Sequence, residues 1–282
     1  MTPSLIPLLS ATLRPWAPLA LVAMGGVLSE RAGVANIALE GMMLSGCFAA
    51  VAGAQATHSA TLGVVAGFCV GAFVGLLHAI FTQAGRVPHI LSGVAINLGA
   101  LGLTTYLLRN RPDATLETTN ILPAEIAVPL AIACVVALYF VLSRTPLGLR
   151  LRAAGENPAA ARSAGVNVPL LRYGAVILSG GLAGLGGATL ALVGLGAFEQ
   201  NMTAGRGYIA LAAVIFGRWS PLGAALAALF FAAGDVAQQS LQTQGLKVPP
   251  DFVTLLPYVL TLLALAFAQN RSVAPGALGK ED

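Results

Sequence analysis

Apolar residues run along this chain in long blocks, with short polar stretches between them. The blocks fall at about 16–28, 33–54, 59–81, 90–108, 124–142, 170–197, 207–217, 221–241 and 252–268. A helix rises about 1.5 Å per residue, so the blocks near 20 residues match a hydrocarbon layer roughly 30 Å thick. GYIALAAVIFG, at 207–217, is too short for a comfortable crossing and is bracketed by Gly207 and Gly217. It reads as a re-entrant half-helix or a short tilted span. The pattern predicts an all-α, polytopic membrane helical bundle of eight or nine membrane segments, one of them broken or re-entrant. It also predicts a single transmembrane domain over 1–282, with no soluble domain at either end.

Composition supports lipid as the natural solvent. The chain has 282 residues, of which 57% are hydrophobic and 9% charged, where an ordinary soluble domain carries about 25% charged residues. Mean hydropathy is +0.82. The net charge of +4 comes mostly from arginines lying between apolar blocks, so it bears on orientation rather than on nucleic acid. The stretch 143–169 with Arg172 carries Arg144, Arg150, Arg152, Arg162 and Arg172 against the single acid Glu156, which marks it as cytoplasmic. The stretch 109–125 sets Arg109 and Arg111 against Asp113, Glu117 and Glu125. One apolar block separates the two, so 109–125 faces outward. The tail, with Arg271 and Lys280, is placed inside.

Several classes of chemistry find no support. Cys47, Cys69 and Cys134 sit inside apolar blocks without a CxxC pattern and read as small hydrophobes. The three histidines, His58, His78 and His89, form no HExxH, so no metal site is expected. No nucleophile, base and orienter are grouped as catalysis would need. Prolines 3, 7, 15 and 18 interrupt the amino-terminal apolar residues, and no removable signal peptide is expected. The two lysines, Lys247 and Lys280, lie outside any GxxxxGK[ST] loop, so work that needs ATP would require a partner's ATPase.

A few polar residues inside apolar blocks are the candidates for function. Asn36 and Glu40, in NIALEGMM, share one helix face one turn apart. A carboxylate left against lipid costs at least a few kcal/mol, so that face turns toward protein or water. Glu40 is either an anchor, paired with Arg31 or Arg206 or bonded to the backbone of a broken helix, or it touches a solute or a gate. Ser92, Asn97 and Thr104 interrupt the next apolar helix but one, with Asn97 either lining a path for a polar uncharged solute or joining helices. Asp235, Gln238 and Gln239 share a face that reads as a water interface. FEQNMTAGRG, 198–207, is a polar break of the kind that lines transporter cavities, and it places Glu199 among the pathway candidates with Asn36, Glu40, Ser92 and Asn97. Gly180 and Gly184 have the small-xxx-small spacing of close helix packing. In RLRAAGENPAAARSAGVNVP, a helix-permissive RLRAAGE precedes the turn signal Asn157-Pro158, a short Ala-rich helix at 159–164 and a stop at Gly165. A short helix on a cytoplasmic loop suits docking into another protein's groove.

At four stretches the chain resembles a known family, the permease subunits of bacterial ABC importers in the branched-chain amino acid, ribose and nucleoside group. They are LSERAGVANIALEGMMLSGCF (28–48), VPHILSGVAINLGALGLTTYL (87–107), TPLGLRLRAAGENPAAARSAGVNV (145–168) and AGRGYIALAAVIFGRWSPLGAALAALFFAAGD (204–235). SERAGVANIALEGMM and GRGYIALAAVIFGRWSP look most like the smaller permease of nucleoside-type systems. The resemblance implies a second, non-identical permease subunit, a cytoplasmic ABC ATPase that uses the ATP, a periplasmic or lipoprotein solute-binding protein, and import across the bacterial cytoplasmic membrane by alternating access. No cofactor of the chain's own is implied. It further implies that 150–168 holds the element seated on the ATPase, with Arg152, Gly155, Glu156, Asn157, Pro158, Ala161 and Gly165 serving coupling. A simple sugar or a riboflavin-like heterocycle is the alternative solute. An ion-coupled secondary transporter using Glu40 and Asp235 is the rival mechanism, and a membrane-embedded enzyme a more distant one.

Overall fold

A computed structural model describes residues 5–111, 115–193, 195–243 and 274–280. The described residues form ten α-helices: α1 (Leu5–Arg31), α2 (Leu39–Thr57), α3 (Ala60–Ala79), α4 (His89–Arg109), α5 (Ala124–Arg144), α6 (Pro146–Glu156), α7 (Pro158–Ser163), α8 (Val168–Leu192), α9 (Arg206–Phe216) and α10 (Pro221–Thr243). A π-helical turn, Ile80–Ala84, extends α3. Strand-like pairing among the described residues is confined to two isolated bridges, Glu117 with Ala197 and Leu122 with Val193. The expected apolar segment at 252–268 lies outside the described residues.

Among the described residues six helices are long and apolar enough to cross a membrane, namely α1 from Ala11, α3 with its π turn, α4, α5, α8, and α10 to Gln238. The protein is thus a multi-pass membrane protein. The expected block at 33–54 is not one helix. Residues 32–38 are irregular and α2 starts at Leu39, because side chains from α1, α3, α4 and α8 bind the backbone there. GYIALAAVIFG forms the 11-residue α9, about 16 Å long, half the thickness of a hydrocarbon layer.

Burial sorts the helices into two layers. The most apolar windows of α1 and α8 are 78% and 72% buried, against 28–39% for α3, α4, α5 and α10. The latter four therefore form the outer ring, and they expose Phe73, Ile90, Leu98, Val136, Phe140 and Leu226, as lipid contact requires. The main core gathers Leu19, Leu21, Met24, Leu39, Met42 and Met43 with Leu138, Ala183, Ala213 and Val214.

Glycine lets the inner helices touch backbone to backbone. The buried face of α3 is Gly63, Gly67, Gly71 and Gly75, followed by His78 and Ala79. A Cβ on Gly75 would lie 2.6 Å from Val176 O, and one on Gly71 or Gly180 would overlap the carbonyl of the other. The small-residue spacing expected of α8 is thus half of a zipper whose other half is the period of four on α3. On its other faces α8 meets α2 through Gly187 and α1 through Gly186, where a Cβ would lie 2.6 Å from a methyl of Val22. Between helices in lipid, where hydrophobic drive is weak, such approach supplies the packing.

The bundle has two dissimilar ends. At one, the Arg31 guanidinium lies 3.9 Å from the Glu156 carboxylate, Ala277 N donates to Gly155 O at 2.8 Å and Gly279 N to Gly33 O at 3.2 Å. The C-terminal stretch 274–280 therefore docks where α1 and α6 end. At the other, Thr118 N donates to Gly196 O at 2.7 Å and Phe198 N to Leu116 O at 2.9 Å, joining the α4–α5 and α8–α9 connections. The 21-residue α5 separates the two ends.

Candidate functional site

Three of the polar residues singled out from the sequence, Asn36, Ser92 and Asn97, converge on the irregular stretch between α1 and α2. A buried backbone outside a helix must find hydrogen bonds elsewhere, and here side chains supply them. Ser29 Oγ donates to Val34 O at 2.8 Å, and Arg172 Nε to Ala32 O at 3.2 Å. His89 Nδ1 accepts from Ala35 N at 3.1 Å. His78 Nε2 lies 3.3 Å from Ala35 O. A carbonyl only accepts, so Nε2 carries the ring proton and Nδ1 accepts from Ser92 Oγ at 2.8 Å. Asn97 Nδ2 donates to Ile37 O and to the Tyr208 hydroxyl, both at 2.9 Å, while its Oδ1 accepts from Gly41 N at 2.8 Å. Gly41 N is one of the N–H groups at the start of α2 that have no partner inside the helix, so Asn97 caps α2 from α4. Asn36 is fully buried and donates from Nδ2 to Ser179 Oγ at 2.9 Å.

Glu40 is the second focus. It is 7% exposed and bonds to the backbone at the start of α9. Its Oε1 accepts from Thr203 Oγ1 at 2.6 Å and Gly205 N at 2.9 Å, and its Oε2 from Gly207 N at 2.6 Å. A carboxylate is the fitting group, since it is acceptor-only and the N-terminus of α9 is the positive end of its dipole. The alternative partners weighed from the sequence, Arg31 and Arg206, are engaged elsewhere. Arg31 Nε donates to Trp219 O at 2.7 Å, and Arg206 reaches Met202 O and Thr203 O at 3.2 and 3.3 Å. Gly207 has to be glycine, because a Cβ would stand 2.5 Å from Glu40 Cα.

Of the five pathway candidates, Asn36, Glu40, Ser92 and Asn97 thus gather at the starts of α2 and α9, all buried and all bonded to protein. Glu199 stands apart, exposed on the α8–α9 connection. Thr104 is buried and bonds Ala100 O in its own helix at 2.7 Å. Asp235 and Gln238 are half-buried rather than freely solvated. Residues that the sequence did not single out include His78, His89, Ser179, Thr203 and Tyr208. A second buried acid, Glu30, accepts from Trp219 Nε1. Thr203 lies in the polar break 198–207, and the signal of the others is a polar group within or beside an apolar block, which many bland residues share. Asn97→Leu is expected to cost about 2 kcal/mol, by leaving Gly41 N and Ile37 O unbonded. Thermal unfolding of the purified protein checks this, and an unchanged midpoint would show that Asn97 holds nothing.

The loop after α5 folds as its turn signals predict, with α6 beginning earlier than RLRAAGE alone indicates. Thr145 Oγ1 accepts from Gly148 N at 3.2 Å and Pro146 opens α6. Asn157 ends α6 and caps α7, accepting from Ala160 N at 3.0 Å, and Pro158 fills the first position, where a missing N–H does no harm. Gly165 follows α7 with φ of +80°. Ala161 packs inward with Ala154 and Val168. Gly155 is pressed against the end of α1, where a Cβ would meet the Arg31 carbonyl and lie 3.1 Å from Gly33 N. Glu156 meets Arg31 and accepts from Gly276 N at 3.1 Å, and Arg152 is half-buried on α6. The loop is therefore in direct contact with the irregular stretch that carries α2.

Residues 8–265 match the family described as branched-chain amino acid transport system / permease component. The chain belongs to that family of transport permeases. Relatives extend over nearly the whole permease. It is 37% identical to the nucleoside ABC transporter permease protein NupC of Lactococcus lactis subsp. cremoris, over 93% of this chain and 92% of that one. It is 38% identical to the guanosine ABC transporter permease protein NupQ of Bacillus subtilis, over 95% and 94%. It is 30% identical to the putative glucose ABC transporter permease protein TsgC13 of Haloferax volcanii, over 94% and 92%. The permease is thus a transport component of an ABC system.

Proposed function

We propose that the permease forms half of the translocation pathway for a nucleoside-like solute in an ATP-driven importer of the bacterial cytoplasmic membrane. What carries the solute class is the 37–38% identity to permeases named for nucleoside and guanosine, over more than 90% of each chain. TsgC13 keeps a sugar as the alternative. The second half of the pathway belongs to a non-identical permease subunit, a solute-binding protein delivers the solute, and a cytoplasmic ATPase supplies the work. The arginine-rich end carrying α6 and α7 faces the cytoplasm. The α4–α5 and α8–α9 connections then face out, and since Trp219 just past α9 bonds Arg31 at the cytoplasmic end, the polar approach and α9 form one broken span whose helical part is the cytoplasmic half.

The mechanical route follows from the contacts. A push on α7 moves α6, with which it shares the Asn157 cap. Gly155 and Glu156 on α6 press the end of α1 and the 32–38 stretch. That stretch leads into α2, whose Glu40 holds the start of α9. Closing of the ATPase would therefore reach both helix starts beside the path and shift the balance between outward- and inward-open states. Ion coupling through Glu40 fits less well, since the carboxylate is held by three donors.

The deciding experiment is uptake by the reconstituted importer. ATP-dependent accumulation of radiolabelled guanosine, competed by other nucleosides and not by glucose, is the expected result. Uptake that survives ATP depletion and falls with the ion gradient would overturn it. In the same assay Glu156→Arg is expected to lower uptake several-fold while the complex assembles normally. Undiminished uptake would remove Glu156 from the coupling route.

A further inference from the structure

A cavity of about 180 Å³ opens at the end of the bundle that carries α7 and the C-terminal stretch. Its described charged lining is cationic. Arg86, Arg162, Arg172 and Lys280 contribute to it, with His89, and no Asp or Glu is among its described lining residues. Arg172 is 3% exposed, whereas Arg86, Arg162 and Lys280 are exposed. This combination gives one guanidinium fixed in the wall and three long cationic side chains at the rim. The first residues of two helices also line it, His89 of α4 and Val168 of α8, so two positive dipole ends add to the field. Arginine forks and a lysine around a small concave space match the oxygens of a phosphate group.

We infer that this cavity is a binding site for a phosphate-bearing anion, with the headgroup of an anionic phospholipid in the inner leaflet as its source. Basic pockets between membrane helices at the cytoplasmic side suit such headgroups. The chain neighbours of the lining residues favour a lipid over a free ion. Ile90 follows His89 and is 64% exposed, Leu170 follows Pro169 and is 68% exposed, and Phe81 precedes Thr82 and is 42% exposed. Exposed apolar side chains therefore follow or precede lining residues in the chain on three elements, so lipid-facing surface lies within a residue of the cavity wall.

The site has a structural reach that a surface patch lacks. Arg172 bonds Ala32 O and His89 accepts from Ala35 N, so two of its wall residues hold the stretch between α1 and α2. Arg162 lies on α7, and Lys280 ends the stretch whose Gly279 N bonds Gly33 O. A bound phosphate group would draw α7, the C-terminal stretch and the start of α4 together against that stretch.

The test uses the assembled transporter in phosphatidylcholine nanodiscs, with and without phosphatidylglycerol, read by thermal unfolding and by lipid retention in native mass spectrometry. Phosphatidylglycerol is expected to raise the unfolding midpoint and to be retained, and R86Q/K280Q to weaken its binding by roughly tenfold for each cationic side chain replaced. Arg144→Gln, a charge change outside the cavity, is expected to keep the effect. Inorganic phosphate added to phosphatidylcholine nanodiscs is the second arm. Stabilisation by phosphate that disappears in R86Q/K280Q, without a lipid preference, supports the site and assigns it to a soluble anion. No stabilisation by either probe overturns it, as does equal stabilisation of wild type and R86Q/K280Q, or an equal weakening in Arg144→Gln. Stabilisation seen only in E281Q/D282N also overturns it, since the cavity would then serve the chain's own carboxylates.

Discussion

Gly184→Val is expected to lower the thermal stability and the yield of the folded permease more than any other single change to the helix packing. Gly184 lies where α8 meets both α3 and α2. A Cβ there would overlap the Gly67 carbonyl and stand 2.9 Å from Gly71 Cα, and Gly46 of α2 faces it from the other side. The obstructing atoms are backbone, so no rotamer change makes room and the helices must separate. Overpacking of this kind costs about 3 kcal/mol, roughly a hundredfold in the ratio of folded to unfolded chains. Separation of α3 from α8 would also pull the glycine face of α3 away from its partner along its length. Gly174→Ala on the same helix is the control, because a Cβ there meets nothing within 4 Å. The measurement is the monodisperse fraction on size exclusion with the thermal midpoint of what survives. A Gly184→Val protein as abundant and stable as wild type would show that the α3–α8 interface has room to spare.

Glu40→Ala is expected to be the most damaging change among the polar residues. It strips acceptors from Thr203 Oγ1, Gly205 N and Gly207 N at once. Leaving buried donors unbonded costs about 1–3 kcal/mol each, and bonds to a charged acceptor sit at the upper end. A total of about 3 kcal/mol or more is therefore expected, with the start of α9 released. Glu40→Gln separates charge from shape. Its amide oxygen can serve one side of the site, but its NH2 then faces a donor on the other, so partial recovery is expected. Thermal unfolding and ATP-dependent uptake, measured on both variants, decide the matter. If Glu40→Gln retains full stability and uptake, the charge is dispensable and only packing and one accepted bond matter. Gly207→Ala offers an independent check, since a methyl there would push on Glu40 Cα and should reproduce the damage with the carboxylate intact.

Much of this architecture is legible before folding is considered. Block length and the scarcity of charge imply a multi-pass helical protein, because a ~30 Å apolar layer admits only segments that satisfy their own backbone. Asn157-Pro158 and Gly165 bound α7, because cap, first-position proline and left-handed stop are local chemistry that needs no distant partner. The spacing of glycines on α8 announces close packing, and the matching period on α3, from Gly63 to Gly75, carries the same information. An acid at position 40 announces that its helix face must leave lipid.

What stayed hidden were partners that are far apart in sequence. Hydropathy counts 33–54 as one block, yet helix stops at Arg31 and resumes at Leu39 because His78, His89, Asn97 and Arg172 offer hydrogen bonds to the backbone between, and only the packing of α3, α4 and α8 brings them there. Charge complementarity pointed Glu40 toward Arg31 or Arg206, whereas its partners are two backbone N–H groups and a threonine more than 160 positions away. The cationic cavity likewise joins Arg86, Arg162, Arg172 and Lys280 from four separate parts of the chain. Sequence alone determined which segments seek lipid and where short helices start and stop, since those preferences act between near neighbours. The tertiary structure alone decided which polar groups meet, because a buried donor or acceptor takes whichever partner packing delivers.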